Sequence, residues 1–171
     1  AYVALSGLRV RAEQLDRVAA DVANAGTAGY KGERMSSVVA PRPSFGELLQ
    51  SAVDVTPGRA RVDFRSGSLA TTGRDLDFAI EGRGFFVVET AAGPRYTRNG
   101  HFDRLADGTL VASDGSPVLG ERGPIRLGKG DLEVEGDGTV KVSGVVAGRL
   151  KLVAFADEQA LVREEAARFR A

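Results

Sequence analysis

The first 25 residues of the chain carry small and apolar side chains along one narrow helical face. Spacings of three and four residues place these side chains on a single side of an α-helix. So narrow a stripe is typical of a contact between helices rather than of a helix lying on a broad core. Only Arg11 interrupts the stripe, whose members are Ala1, Ala4, Leu8, Leu15, Val18, Val22 and Ala25.

The remainder of the chain offers this stripe no matching helix. It reads as β-structure and contains no second long segment with helical periodicity. We therefore expect the partner of the helix to be another molecule, which makes assembly the first hypothesis about function. The alternative is that the helix packs on the β-part of its own chain.

The composition excludes several classes of protein. The 171 residues include 23 basic and 23 acidic side chains, so the chain lacks the excess positive charge of most nucleic-acid-binding domains. It contains no cysteine, which excludes disulfides, thiolate metal sites and cysteine nucleophiles. The longest apolar run in the β-part, residues 85–88, is far shorter than the roughly 20 residues of a membrane-spanning helix. We expect neither nucleic-acid binding nor membrane insertion.

A glycine-rich turn at residues 24–32 follows the predicted helix and ends it. Gly26 is expected to take the left-handed conformation just beyond the last helical turn. Residues 33–65 are predicted to form a loop-rich connector with one short helical turn. The residues that carry this reading are the helix-breaking Pro41 and Pro43 and the capping pair Ser44 and Glu47.

Residues 66–171 consist mostly of short β-prone runs separated by Gly, Asp and Pro. Four links are Asn-Gly or Asp-Gly pairs, which tolerate the positive φ angles of tight hairpin turns. We predict a mainly β chain with an N-terminal α-helix, its β-domain an irregular antiparallel sandwich or barrel, and divisions into 1–32, 33–65 and 66–171. The predicted strands are 76–81, 85–88, 95–98, 109–112, 117–119, 132–134, 139–142 and 150–155, and the links are Asn99-Gly100, Asp107-Gly108, Asp114-Gly115 and Asp137-Gly138.

The tail, residues 157–171, has a different pattern. Val162, Ala166 and Phe169 recur at helical spacing, and Glu164 and Arg168 are placed for an ion pair one helical turn apart. The pattern alone predicts a short helix.

Two glycine-containing stretches approach the pattern of a ligand loop without completing it. Residues 82–84, Gly-Arg-Gly, lack the third glycine and the following helix of a dinucleotide-binding loop. Residues 133–138 begin like a calcium loop, but Gly144 stands where the closing glutamate is needed. Both stretches are read as turns between strands. We predict no metal site and no cofactor.

The single histidine, His101, is one candidate for catalysis. A Ser-His-Asp triad would join it to Ser113 or Ser116 and to Asp103 or Asp114, but no nucleophile-elbow sequence is present. A solvated residue beside an Asn-Gly turn is the favoured reading of His101.

Asp75 and Asp77 are the other candidate, as the paired carboxylates of a periplasmic glycan hydrolase. Residues two apart on a strand share a face, so such a pair is geometrically possible. A solvated polar face is the favoured reading, and we predict no catalytic residue. A secreted β-sandwich binding module is a further alternative.

Stretches in both parts of the sequence carry a family resemblance. Residues 18–31, VAADVANAGTAGYK, resemble the signature that ends the N-terminal helix of bacterial flagellar axial proteins. Residues 76–86, LDFAIEGRGFF, and 96–102, YTRNGHF, are similar to the β-domain signature shared by the rod and hook proteins of that family. The resemblance covers the chain from residue 1 to about residue 156, and residues 123–125 and 148–153 resemble the proximal-rod type.

The resemblance implies a structural subunit of the flagellar basal-body rod that works in the periplasm. It also implies export through the flagellar type III apparatus, in agreement with the lack of an evident Sec-type signal. The implied partners are other rod subunits, hook–basal-body proteins and the export apparatus. The residues placed at the assembly interface are Leu8, Leu15, Val18, Val22, Asn24, Gly29 and Tyr30.

The chain departs from the family pattern in two places. Asp21 stands where the family often has Asn, and we expect it on the exposed face of the helix. Rod proteins continue into a C-terminal helix that pairs with the N-terminal one, and we expect this chain to stop before such a helix. The resemblance also implies that residues 157–171 form a turn and an extended segment, against the helix that their spacing predicts.

Overall fold

A computed structural model of the chain describes residues 2–35, 60–164 and 167–171. The predicted helical turn of the connector, with Pro41, Pro43, Ser44 and Glu47, lies outside the described residues. The chain divides into two compact units, Ala1–Gly26 with Lys31–Asp63, and Thr27–Tyr30 with Phe64–Ala171. We call them the N-terminal unit and the β-domain. The divisions at residues 32 and 65 stay predictions.

The N-terminal unit contains one α-helix, α1 (Tyr2–Ala23), which confirms the predicted helix. Asn24 caps its end, because the backbone N–H and the side-chain Nδ2 both donate to the carbonyl oxygen of Ala20, at 3.1 and 2.8 Å. A side chain thus helps to satisfy the carbonyls that a helix leaves over at its C-terminus. The prediction for Gly26 is wrong, since the first glycine with a positive φ is Gly29, at 69°.

Two short strands complete the described part of this unit, β1 (Glu33–Met35) and β2 (Ala60–Val62). They pair antiparallel, with Met35 opposite Ala60. The pair is joined further by an ion pair of 2.7 Å between Arg34 Nε and Asp63 Oδ2. The region predicted to be a loop-rich connector therefore begins and ends in a β-ladder.

The described residues of the β-domain form twelve strands in several antiparallel sheets, which confirms the mainly β class with one N-terminal helix. The strands are β3 (Phe85–Thr90), β4 (Gly93–Thr97), β5 (Phe102–Arg104), β6 (Leu110–Ala112), β7 (Leu119–Gly120), β8 (Gly123–Pro124), β9 (Leu132–Val134), β10 (Thr139–Val142), β11 (Val145–Arg149), β12 (Leu152–Val153), β13 (Val162–Glu164) and β14 (Arg168–Arg170). The largest sheet has the order β12-β3-β4-β14-β13, and the others are β11-β10-β9, β5-β6 and β7-β8. A sandwich or a barrel stays a prediction.

Strand β3 is buried on both faces, which explains its continuous apolar run at residues 85–88. Phe86 and Val88 point into the main hydrophobic core, whose other buried members are Phe102, Leu110, Val118, Ile125, Leu127, Val140, Val142 and Leu150. Phe85 points the opposite way, into an aromatic cluster with Phe64, Phe155 and Phe169 at ring-centre distances of 5.7 to 5.8 Å. Edge-to-face and tilted rings of this kind add to the stabilisation that burial provides.

The strand predicted at residues 76–81 is not formed. Asp77 makes only an isolated bridge with His101, and the segment otherwise runs as irregular chain. Its alternating pattern has another cause, because Leu76, Phe78 and Ile80 pack against the main core. Burial on one side of an extended segment produces the same period of two as a sheet.

Gly100 allows this segment to lie against the loop after β4. Phe78 N–H donates to the carbonyl oxygen of Gly100 at 2.9 Å, and Phe102 N–H donates to that of Leu76 at 3.2 Å. A Cβ on Gly100 would lie 1.7 Å from the Phe78 carbonyl oxygen. The φ angle of Gly100 is not positive, so the prediction of a hairpin turn at Asn99-Gly100 is wrong. The glycine is needed for a close backbone approach.

The tail forms a hairpin, so the helix predicted from its spacing is wrong. A single 3-10 turn, Glu158–Ala160, is followed by β13 and β14, as the resemblance implied. The pairing sets Val162 opposite Arg170 and Arg163 opposite Phe169. Phe169 is buried in the aromatic cluster while Val162 is exposed.

The three Asp-Gly links are turns with a shared construction, as predicted. Gly108, Gly115 and Gly138 have φ angles of 88°, 82° and 85°. In each turn the aspartate Oδ1 accepts the backbone N–H of the Thr or Ser two residues later, at 2.9 to 3.2 Å. Such side-chain bonds to the local backbone are why Asp favours turns.

We expect these turns to make the β-domain sensitive to acid. The pKa of Asp107 is lowered from 3.8, first by the Thr109 backbone N–H and then by its hydroxyl, and Thr139 does the same for Asp137. A carboxyl whose pKa is lower in the folded state stabilises the fold above its unfolded pKa, and the stabilisation is lost as the pH falls through the folded pKa. We expect the urea concentration at the unfolding midpoint to decrease when the pH is lowered below 3.8.

The measurement is urea unfolding at several pH values from about 6 down to about 2. The double substitution Asp107→Asn and Asp137→Asn keeps the oxygen acceptor and removes the titrating carboxyl groups. The urea midpoint of this variant should therefore fall less steeply with decreasing pH than that of the wild type. Asp16→Asn on the exposed part of α1 is the matched control. An equal slope for the wild type and the double variant would contradict the prediction.

Candidate functional site

The apolar stripe of α1 is uncovered at the positions whose side chains the structure describes. Leu15, Val18 and Val22 are 70%, 58% and 70% exposed. Large apolar side chains aligned on one exposed face mark a contact site for another molecule. Leu8 also lies in α1, but its side chain falls outside the part of the chain that the structure describes.

The polar face of α1 is the one that its own unit covers. Arg17 Nε lies 3.9 Å from Glu33 Oε2, and a Cβ on Gly32 would lie 3.3 Å from Asp21 Oδ2. Asp21 is half-buried, so the expectation that it lies on the exposed face is wrong. Polar groups face the rest of the unit and apolar groups face outward, the reverse of a helix docked on its own core.

Residues Thr27–Tyr30, which we call the strap, belong to the β-domain. Tyr30 N–H donates to the Thr27 carbonyl oxygen at 3.2 Å, so the strap is a turn. Gly29 has a φ of 69°, and a Cβ there would lie 2.3 Å from Asn99 N and 2.4 Å from the carbonyl carbon of Arg98. Only glycine permits both the left-handed conformation and so close a backbone contact.

Tyr30 makes the second contact of the strap. The guanidinium carbon of Arg163 lies 4.3 Å from the centre of the Tyr30 ring, which is a cation–π contact. The structure therefore brings Gly29 and Tyr30, both predicted interface residues, together on the β-domain. It places Asn24, predicted with them, at the end of α1 instead.

The loop that receives the strap, residues 97–101, is fixed by its own hydrogen bonds. The buried Thr97 Oγ1 accepts the Asn99 N–H at 3.0 Å and donates to the carbonyl oxygen of Ala167 at 3.1 Å. Asn99 Oδ1 accepts the His101 N–H at 3.0 Å. Connected bonds of this kind hold a loop in one shape, so the strap lies on a defined surface.

Arg98 joins this loop to the Gly-Arg-Gly stretch. Its Nη1 donates to the Gly82 carbonyl oxygen at 2.7 Å, and its guanidinium carbon lies 5.1 Å from the centre of the Phe85 ring. Burial lowers the pKa of Arg98, and the charge of Glu158 acts in the opposite direction. Arg83 is held in turn by Glu158, at 3.3 Å. Residues 82–84 therefore form a bend that provides a contact point for Arg98. They do not join two strands as predicted, because no strand forms at residues 76–81.

Sequence reasoning missed the two arginines that contact the strap region. Arg98 lies inside the family signature, but no local pattern shows what its side chain touches. Arg163 lies in the tail, where the helical reading conceals that its strand pairs with β14. Both contacts join segments far apart in sequence, which periodicity does not report.

His101 pairs with Asp77, one of the two candidate carboxylates of a glycan hydrolase. Its Nδ1 lies 2.8 Å from Asp77 Oδ1, and the Asp77 side chain is 9% exposed. The hydrogen bond from His101, followed by one from the Thr72 hydroxyl, lowers the pKa of Asp77. Arg74 Nε lies 3.7 Å from the same carboxylate oxygen. Asp77 is thus an ionised anchor of the irregular segment, and the prediction that it lies on a solvated strand face is wrong.

Three of the groups considered for a triad, Asp103, Asp114 and Ser116, have other partners. Asp114 accepts the Ser116 hydroxyl at 2.8 Å and forms an ion pair with Arg168, while Asp103 pairs with Arg74 at 3.1 Å. A glycosidase acid needs a raised pKa, whereas that of Asp77 is lowered. Within the described ranges, no three His, Asp or Glu side chains are grouped to hold a metal ion. None of the helical residues described here forms a segment long and apolar enough to cross a membrane.

Comparison with known proteins identifies the class of protein that this chain resembles. The family model "Flagellar hook protein FlgE/F/G D1 domain" matches residues 79–142, which lie in the β-domain. Three similar relatives are each named flagellar basal-body rod protein FlgF. That of Rhizobium meliloti is 36% identical over 84% of this chain and 60% of its own length, that of Caulobacter vibrioides 36% over 89% and 64%, and that of Mesorhizobium japonicum 33% over 95% and 67%.

The chain belongs to the family of flagellar basal-body rod proteins FlgF. It spans 60% to 67% of the length of these three relatives. The flagellar rod and hook resemblance seen in the sequence is thereby confirmed.

Proposed function

We propose that the chain is a structural subunit of the flagellar basal-body rod and that its role is mechanical rather than catalytic. Its family membership and the uncovered stripe of α1 support this function. An axial subunit needs a surface that only its neighbours cover, and Leu15, Val18 and Val22 supply one.

The proposed assembly interface consists of the stripe and of the residues that follow it. In the rod, the apolar side chains of α1 contact helices of neighbouring axial subunits in a coiled-coil-like manner. Each such contact buries apolar area that is exposed in the free chain. The proposed contact residues are Leu8, Leu15, Val18, Val22, Asn24, Gly29 and Tyr30.

The β-domain then sets the spacing between subunits and resists torsion, and its sheets close into an irregular sandwich or barrel. The proposed partners are other rod and hook–basal-body proteins, together with the flagellar export apparatus. The proposed location is the periplasmic part of the basal body. The names of the relatives, all basal-body rod proteins, support this placement.

The proposal is tested on hook–basal bodies purified from the organism that encodes the chain. We expect mass spectrometry to detect the chain in the purified basal bodies, and deletion of its gene to abolish both swimming and rod completion. A cytoplasmic marker protein is the control for purity. Recovery of the chain only outside the basal-body fraction, with normal swimming after deletion, would exclude a rod subunit.

A further inference from the structure

We propose that Arg163 is a positioning residue that holds the strap, Thr27–Tyr30, in a preformed conformation on the β-domain of the free subunit. Two contacts of the strap with the β-domain carry the proposal. Gly29 lies against the backbone of Arg98 and Asn99, and the Tyr30 ring lies under the Arg163 guanidinium. The first contact is one of shape, and the proposal is that it needs the second to stay engaged.

The two contacts have different physical characters. The backbone approach at Gly29 has exact steric requirements but offers little apolar area, because glycine has no side chain. The Tyr30–Arg163 contact supplies attraction, since the ring face carries negative charge density and the guanidinium group is a cation. Removing this attraction should release the strap while the seat at residues 97–101 keeps its shape.

Arg163 is itself held in place by its sheet. Its strand β13 pairs with β14, whose Phe169 lies directly opposite Arg163 and is buried in the aromatic cluster. The cation is therefore presented from a fixed backbone. Preorganisation of this kind lowers the ordering cost of a later association. The consequence for rod assembly rests on the proposed function, whereas the contact exists in the isolated chain.

The experiment uses the absence of cysteine from the chain. Ala28→Cys places a single thiol in the strap for a nitroxide spin label, whose mobility is read by electron paramagnetic resonance on the 171-residue chain. We expect a mostly immobile label. Arg163→Gln should raise the ratio of mobile to immobile label by about three- to thirty-fold, the range that cation–π contacts span.

Three further variants separate positioning from general stability. Arg163→Lys keeps a cation and should restore part of the immobile signal, and Tyr30→Leu should release the label as Arg163→Gln does. Arg122→Gln, an exposed arginine in a different loop, is the matched control. The urea midpoint of the β-domain should stay unchanged in all of them.

The proposal fails if the label is already mobile in the parent chain, or if Arg163→Gln leaves it as immobile as Arg122→Gln does. It also fails if the label is released only in variants whose urea midpoint has fallen, because the role of Arg163 would then be general stability. None of these readings depends on rod assembly. They therefore stand apart from the basal-body experiment that tests the proposed function.

Discussion

Gly100→Ala is expected to destabilise the β-domain by about 3 kcal/mol, because the new methyl group overlaps fixed backbone. It would lie 1.7 Å from the Phe78 carbonyl oxygen and 2.7 Å from its carbon. The backbone is not free to withdraw, since Phe78 N–H is bonded to the Gly100 carbonyl and Phe102 N–H to that of Leu76. Relief of the overlap would break these bonds and pull Phe78 away from the core.

Urea unfolding followed by circular dichroism measures this effect. Gly136→Ala is the matched control, because a Cβ there meets nothing within 4 Å and no positive φ is involved. We expect the control to lie within about 0.5 kcal/mol of the parent chain. A Gly100→Ala variant as stable as the control would show that the irregular segment at residues 76–81 is not pinned as described.

Leu15→Asp is expected to abolish swimming while the isolated chain keeps its fold. Leu15 is 70% exposed in the free chain, so the substitution costs little there. In the proposed rod the same position is covered by a neighbouring helix. The variant would lose about 1.5 to 3 kcal/mol of apolar burial per contact and would also desolvate an unpaired carboxylate. Because the defect recurs in every subunit, it should prevent incorporation.

Swimming in soft agar and recovery of the chain in purified basal bodies are the two readouts. Leu15→Met keeps an apolar side chain of similar volume and should swim normally. Circular dichroism must show the same β-sheet signal for both variants. Normal motility with Leu15→Asp would remove the stripe from the assembly interface and would leave the β-domain as the contact surface.

The features that could be predicted from the sequence are those with a local cause. The helix follows from the spacing of its apolar residues, and the Asp-Gly turns follow from side chains that bond to their own backbone. The buried strand at residues 85–88 follows from four consecutive β-prone residues. The exposure of Leu15 and Val22 was implied by the lack of a second helix in the sequence.

The glycines show where this reasoning stops. Gly26 was favoured for the left-handed position because it comes first after the helix, but the Asn24 side chain already bonds to the terminal carbonyl of Ala20. The residue in the left-handed conformation is Gly29, where the close approach of the Arg98–Asn99 backbone leaves no room for a side chain. Gly100 is likewise required by Phe78. These are tertiary contacts between distant segments, and no local pattern reports them.

The predictions for the tail and for Asp77 are wrong for related reasons. Val162 and Phe169 have a spacing that fits a helical face, yet a hairpin places one outside and the other in the core. Tertiary pairing overrides weak helical periodicity in so short a segment. Asp75 and Asp77 are neighbours in sequence, which suggests a pair of carboxylates. The actual partner of Asp77 is His101, which follows two intervening strands in the sequence.

The position of the last strand has a consequence for the order in which the chain folds. Strand β14 lies inside the five-stranded sheet, between β4 and β13, although it follows both of them in sequence. The sheet cannot close until residues 168–170 are available, so its completion depends on long-range contacts that form late. A chain that passes N-terminus first through a narrow channel would therefore complete this sheet only after residues 168–170 had emerged.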